Sequence, residues 1–434
     1  MKICLIAPDF RTLGGYELQL RALVTGLADA GHEVHLFVRD AVAPTHPYWQ
    51  EIVASAAQTH TTPHWLHAIT PQRFGEKRWV AHAITITKPL WVALSYPLSR
   101  VQKRDHERSE QAIRGVVHGW LNQLAHIDPQ QWWLNRQLDW LWFWSPPDVV
   151  DIQHSMIPAA MHYAKRRGVP LVYTEYGAPN QELSSVWLPM RELVNEADVV
   201  LGRAEASLSG LRELCGLRED MPTLIVPNAV TVAPQAGDSA ELPNNPTVTM
   251  MAIGRLSAEK DPLTLLAAFK QVYAAYPNAR LIFAGEGDLR DALERQIMAD
   301  KLQNAVTITG RFDSLIPLIK QSDFVVHPTL NDGRSVAVLE ALAWGRAVVG
   351  TRVGGVAELI ADGKTGLLVE PHHIDQLADA LCQLVASRAR RVQMGQAARA
   401  WFLQGSFSAE AMVNKTIATY EGLVMQHPAA LTFL

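Results

Sequence analysis

Cysteine is scarce and scattered in this chain. Cys4, Cys215 and Cys382 lie far apart and form no CxxC pair. That argues against a disulfide framework and a cysteine-built zinc site, and it fits a reduced cytosolic chain with free thiols. Long apolar runs are missing as well, none approaching the roughly 20 residues that a membrane span needs. The opening run Met1-Lys-Ile-Cys-Leu-Ile-Ala-Pro8 is too short for a signal segment and reads as a first strand. Charge of one sign is also lacking. A formal net charge of −4 and a pI of about 6.5 give no global pull toward nucleic acid, so any anion site must be local. No full GxGxxG occurs, which leaves a dinucleotide site with little support.

What is present is apolar and rhythmic. A chain of 434 residues with 48% hydrophobic content is long enough for two domains, each with its own core. Residues 2–7 read as a strand, Gly14-Gly15 as a loop, 18–30 as a helix and 32–38 as the next strand. This βαβ order starts a parallel sheet. The rhythm breaks between about 41 and 147 and resumes with strands at 148–152, 170–173 and 199–201 and a helix at 157–167. Residues 234–246 are polar, carry three prolines and read as the domain linker. A second βα series follows from 247 to about 408, and a last helix spans 409–425. The expectation is an α/β protein: two doubly wound domains, 1–235 and 247–408, with a ligand cleft at the carboxyl ends of both sheets.

The interrupted region holds ten of the 13 tryptophans, including Trp132-Trp133 and Trp140-Leu-Trp142-Phe-Trp144, with the basic stretch Arg100-Val-Gln-Lys103-Arg104. We read it as a largely helical insert. Its tryptophans suit packing against the sheet, stacking on sugar rings, or a peripheral membrane contact beside the basic stretch.

The densest chemistry lies at Pro328-Thr-Leu-Asn-Asp332-Gly-Arg-Ser335-Val-Ala-Val-Leu-Glu340. An apolar strand ends, a polar loop carries Asp332, and a helix opens at Ser335 with Glu340 in its first turns. Helix-start N–H groups attract an anion, and carboxylates accept from sugar hydroxyls, so the pattern suits a nucleotide-sugar. Gly254-Arg255…Lys260 adds two cations where a strand gives way to a helix, a compact diphosphate clamp. Gly14-Gly15 allows close backbone approach to a ligand. Gly354-Gly355…Glu358 runs into another helix, where Glu358 either faces the cleft or complements a helix dipole. His154, after a first-domain strand, is a candidate to orient an acceptor or else a capping or packing residue, and Glu175 is comparably open.

Gly254-Arg255…Lys260, Asp332-Gly333…Glu340-Ala-Leu-Ala…Gly345 and Gly354-Gly355…Glu358 together resemble the C-terminal signature of retaining, nucleotide-sugar-dependent glycosyltransferases. That large group includes sucrose synthases and bacterial envelope mannosyltransferases. The resemblance covers roughly 1–40 and 148–425. It implies the GT-B fold, with the last helix crossing back to the first domain. It implies that Arg255 and Lys260 hold the diphosphate and stabilise the leaving nucleotide, and that Glu340 accepts from the ribose. Asp332 would contact the transferred sugar, the backbone of Gly333, Arg334, Ser335, Val336 and Ala337 would bind sugar and phosphate, and Gly15 would approach from the opposite domain. Gly14, Gly254 and Glu358 complete the expected donor site. No cofactor and no metal are implied, and the chain offers no convincing DxD. The reaction would retain anomeric configuration.

Four positions depart from the family's pattern. Asp332 opens the carboxylate pair where Glu is typical, at the same spacing. Tyr176 stands where a His near the sugar is common, and Arg334-Ser335 where a bulky apolar residue and Pro are common. These departures keep open a catalytically silent nucleotide-sugar-binding subunit, beside a GT-B phosphorylase or epimerase. The main expectation is a cytoplasmic transferase of a polysaccharide pathway, membrane-associated at most through its insert. Its partners would be a nucleotide-sugar and a saccharide or glycolipid acceptor, and not nucleic acid.

Overall fold

A computed structural model of the chain describes residues 1–8, 14–38, 45–61, 146–154, 168–181, 184–188, 193–230, 241–310 and 314–427, with a few single positions between them. The first domain runs β1 (Lys2–Ala7), α1 (Gly15–Asp29), β2 (Glu33–Val38), α2 (Pro47–Ala54), β3 (Gln58–Thr61), β4 (Val149–Gln153) and β5 (Leu171–Glu175). It continues with α3 (Ser184–Trp187), β6 (Val199–Gly202), α4 (Glu205–Cys215) and β7 (Thr223–Ile225). Among the described residues its seven strands order as β3-β2-β1-β4-β5-β6-β7, and every pairing is parallel.

The second domain runs β8 (Val248–Ile253), α5 (Pro262–Ala275), β9 (Ala279–Ala284), α6 (Arg290–Ala299), β10 (Val306–Ile308), α7 (Ile316–Gln321) and β11 (Phe324–His327). Then come α8 (Val336–Ala343), β12 (Ala347–Thr351), α9 (Val356–Leu359), β13 (Gly366–Val369), α10 (Ile374–Ala386) and α11 (Arg388–Gln404), and finally α12 (Ala409–Gln426). Its sheet orders as β10-β9-β8-β11-β12-β13, again all parallel.

Parallel strands covered by helices on both faces are buried on both, and these read as mainly apolar runs, with polar residues such as Asp151, Glu175 and His327 toward their carboxyl ends. β4, β5, β11 and β12 are buried at every residue. Each sheet reverses direction of growth between its first strand and a later one, β1/β4 and β8/β11. Ligands of such sheets bind outside the carboxyl ends at that switch point. Residues 47–61, placed by their sequence in the insert, supply α2 and the edge strand β3, which pairs with β2. The rest of the expected insert, with nine of its tryptophans and its basic stretch, lies outside the described residues, as does most of the expected 157–167 helix.

The chain passes between domains twice, side by side. Val230 N–H donates to Phe407 O over 2.8 Å where one segment leaves and the other returns. Ser408 then caps α12 by accepting from Ala411 N. α12 packs on α1, where a Cβ at Gly26 would lie 2.6 Å from Val413 Cγ2. Met412, Val413, Tyr420 and Leu423 enter the first domain's core. Among the described residues, no helix is long and apolar enough to cross a membrane.

Candidate active site

The site begins at the end of β11. His327, the strand's last residue, is buried and points Nε2 at Asp332 Oδ2 over 3.1 Å. Lys260 arrives from the short turn after β8 and reaches the same oxygen at 3.1 Å. Its Nζ also donates to Thr329 Oγ1 at 3.2 Å and to Asn331 O at 3.1 Å, and it pairs with Glu259 at 3.0 Å. Burial alone would raise the Asp332 carboxyl. The Lys260 charge and the His327 bond outweigh it and hold Asp332 well below the usual carboxylate range. The same carboxylates raise Lys260 against its own burial. Arg255 is more exposed and pairs with Glu259 at 3.1 Å, so the two expected clamp cations share one acidic neighbour.

α8 starts where its sequence signals: Ser335 caps it, its side chain accepting from Val338 N. The remaining N–H groups of the first turn, Val336 and Ala337 among them, open at this end. Glu340 follows on the same helix, 4% exposed, and its Oε2 has no hydrogen-bond partner among the described residues. Burial pushes its carboxyl up to about 7. Opposite lies the start of α1, with Gly14 at its cap and Gly15 its first residue. A Cβ on Gly15 would stand 3.4 Å from Val336 Cγ2. Two helix N-termini from different domains therefore face each other, and their dipoles add at one place.

The first-domain wall is aromatic and acidic. His154 follows β4 directly with φ of +46°, and its Nδ1 lies 2.6 Å from Glu175 Oε1. Glu175 is fully buried and also accepts from Tyr173 OH at 2.6 Å, Gly177 N at 2.7 Å and Trp187 Nε1 at 3.3 Å. Burial works to raise it, but the His154 charge and these donors bring it below its ordinary value. Tyr176 donates to Gln153 Oε1 at 2.7 Å, accepts from Arg203, and meets the Tyr16 ring edge-on at 4.9 Å. It is thus a wall residue, held by burial and three neighbours.

The loop from Leu330 to Arg334 is docked on that wall. Asn331 accepts from Ala178 N at 3.1 Å and donates to Ala178 O at 2.7 Å. A Cβ on Gly333 would fall 2.0 Å from Tyr176 O, and one on Gly355 would fall 1.6 Å from Gly333 O. Gly354, at φ +44°, is pressed against Asp332 O. Gly254 has φ of +153° and shapes the turn that leads to Arg255. The side chains of Arg334 and Glu358 turn toward the other domain. Arg334 donates Nε to Arg203 O at 2.7 Å and Nη2 to Glu358 Oε2 at 3.1 Å. Glu358 accepts from Ala206 N at 2.8 Å and Glu205 N at 3.2 Å, the first N–H groups of α4 in the other domain. Its carboxylate complements a helix dipole, that of a helix 152 residues away in sequence.

His327, Thr329, Asn331, Glu259, Arg203 and Asn228 belong to the site, and the sequence reading passed them over. A polar residue closing an apolar strand was the available signal for His327. For Arg203 and Asn228 there was none: the Arg203 carbonyl and the Asn228 amide meet Arg334 of the other domain, while the Arg203 guanidinium binds Tyr176 and Val226 O of its own.

Two doubly wound domains, with helix N-termini converging on one cleft beside a cation and two carboxylates, define the GT-B class of group-transfer enzymes. Residues 247–387 match the family Glycosyl transferases group 1. The chain is a glycosyltransferase whose second domain matches the group 1 model over most of its length. It is 25% identical to a D-inositol 3-phosphate glycosyltransferase of Pseudarthrobacter chlorophenolicus, over 97% of this chain and 93% of that protein. It is 25% identical to the glycogen synthase of Mycobacterium tuberculosis, over 92% and 89%. The fold is similar to that of Anabaena HepE in complex with UDP and glucose. The TM-score there is 0.70 at 17% identity, covering 97% of this chain and 99% of that one.

Proposed function

We propose that the protein moves a sugar from a nucleoside-diphosphate sugar to a saccharide or glycolipid acceptor, with retention of anomeric configuration and without a metal or other cofactor. The observation that carries this reading is the meeting of α1 and α8 at Gly15 and Val336, with Glu340 buried on α8 and its Oε2 without a hydrogen-bond partner among the described residues. An anion between two helix ends, with a carboxylate waiting for hydroxyls, is what a sugar nucleotide offers. Arg255 and Lys260 supply positive charge for the diphosphate and for the leaving nucleotide, the task a metal serves elsewhere. Lys260 would move from Asp332 toward phosphate as the donor enters, and Asp332 would turn to the sugar hydroxyls. The similarity to HepE, crystallised with UDP and glucose, favours a uridine donor. Relatives named for inositol phosphate and glycogen favour a hydroxyl-rich acceptor. A cytoplasmic setting fits the free cysteines.

A thermal-shift panel with UDP, GDP, ADP, CDP and dTDP, run beside Arg255→Ala and Lys260→Ala, tests the donor site. A ligand of the native state adds RT ln(1 + [L]/Kd), about 2.7 kcal/mol at a hundredfold excess over Kd. One nucleotide stabilising the wild type and neither variant is the expected result. No shift with any of the five would overturn the reading. Product analysis by NMR then decides retention, since an inverted anomeric centre contradicts that part alone.

A further inference from the structure

Arg334 and Glu358 sit where the family resemblance implies donor contacts, and their side-chain hydrogen bonds bridge the two domains. Arg334 is 10% exposed at its side chain and Glu358 29%. The guanidinium binds the carbonyl of Arg203 on one side and the Glu358 carboxylate on the other. That carboxylate in turn receives the first two N–H groups of α4, an eleven-residue helix of the first domain. The Arg334 carbonyl accepts from first-domain Asn228 Nδ2 at 2.6 Å. Two residues before it, Asp332 N-terminally adjoins Gly333, which abuts Tyr176 O, and one residue after it Ser335 caps α8. Thus the residue between the sugar-facing carboxylate and the anion-binding helix end is fastened to the opposite domain at both side chain and backbone.

We infer that Arg334 and Glu358 form an interdomain clasp that closes the cleft and, by closing it, sets the donor loop. They are positioning residues rather than donor ligands. Burial lowers the Arg334 guanidinium's affinity for its proton, and the Glu358 carboxylate beside it offsets part of that cost. A planar fork is needed to reach a carbonyl and a carboxylate in different directions, which the ammonium of a lysine cannot reproduce. That the clasp serves the donor site rests on the glycosyltransferase reading. The clasp itself does not.

The experiment uses the full chain as wild type, Arg334→Met, Glu358→Gln and the double variant. Small-angle scattering without ligand reports closure. Each variant should give a larger radius of gyration than the wild type, with far-UV circular dichroism unchanged. Calorimetric titration with the five nucleoside diphosphates reports the donor loop. The diphosphate that binds the wild type should bind each single variant about tenfold more weakly, which is about 1.4 kcal/mol. The double variant should be no weaker than either single one, because one clasp is broken once. Unchanged scattering in both single variants overturns the clasp, as do additive losses in affinity. Should Arg334→Met fail to fold, the isosteric Glu358→Gln, which still accepts from α4, carries the test. If no diphosphate binds the wild type, the donor reading fails, while the scattering still decides the clasp.

Discussion

Lys260 Nζ and His327 Nε2 converge on one oxygen of Asp332, each at 3.1 Å. The carboxylate is therefore ionised and held between two donors before any ligand arrives. Removing one member of a buried pair leaves the other uncompensated, which costs about 3 kcal/mol or more. Lys260→Met should lower stability by about that much in urea unfolding, and Lys260→Met with Asp332→Asn by clearly less. Transfer should be lost in both. An Asp332 held below its ordinary value stabilises the fold above the unfolded carboxyl's pKa of about 3.9, and that stability is lost as pH falls further. Asp332→Asn should flatten this acid limb.

Glu340 behaves in the opposite sense. Its carboxyl is raised to about 7 by burial. The stabilising proton is fully bound below the unfolded pKa of about 4.3, and its contribution is lost as pH rises toward 7. A shift of that size corresponds to a few kcal/mol at most, at about 1.4 kcal/mol per unit. Glu340→Gln should therefore raise the melting temperature at pH 8 and leave it nearly unchanged at pH 4.5. It should bind a ribose less well, since an amide offers one acceptor oxygen in place of two. Melting curves across pH 4.5–8 check the first statement and nucleotide titration the second. A Glu340→Gln protein no more stable than wild type at pH 8 would contradict the account of its burial.

The second-domain core of the site was readable because its signals are local. Phe324–His327 is an apolar strand, a polar loop follows, and Ser335 caps a helix that begins where the capping pattern places it. At the first domain the glycine pair read as loop, and α1 in fact starts at Gly15, three residues earlier than its apolar periodicity suggests. Periodicity reports which face is buried, and a solvent-side or ligand-side first turn gives it nothing to report. The links that join the domains were not readable. Asn331 meets Ala178 across 153 residues, and Glu358 meets Ala206 across 152. Each residue alone is an ordinary polar side chain on a loop or a short helix. Its role appears only when two separately folded sheets present their carboxyl ends to each other.

The returning helix has its own buried lock. Tyr420 OH donates to Asp151 Oδ2 at 2.5 Å, and Thr174 Oγ1 donates to the same carboxyl at 2.9 Å. Burial raises Asp151 to about 6 in spite of these donors. Its contribution to stability is lost as pH rises from about 4 to 6. Tyr420→Phe removes one donor from a group that must ionise above that range. The loss should be about 1–3 kcal/mol at pH 7.5 and smaller at pH 4.5. Urea midpoints at the two pH values check it, and an equal loss at both would mean that packing of the ring, not its hydroxyl, matters.

Gly333 offers the sharpest test of whether the domains must meet for the site to exist. A methyl there would fall 2.0 Å from Tyr176 O and 2.8 Å from Gly177 O, both backbone atoms of the opposite domain that cannot turn aside. The residue's own domain does not create the clash, so Gly333→Ala should leave each sheet and its helices folded. Relief must come from moving the Leu330–Arg334 loop away from the wall. That would stretch the paired Asn331–Ala178 bonds and carry Asp332 with it. Enzymes held about an ångström out of register lose on the order of a hundredfold in rate. Gly333→Ala should accordingly lower kcat/KM by at least that factor, with far-UV circular dichroism intact and a melting temperature only modestly reduced. Full activity in Gly333→Ala would mean that the loop works undocked, and the domain contact would then be no part of the site.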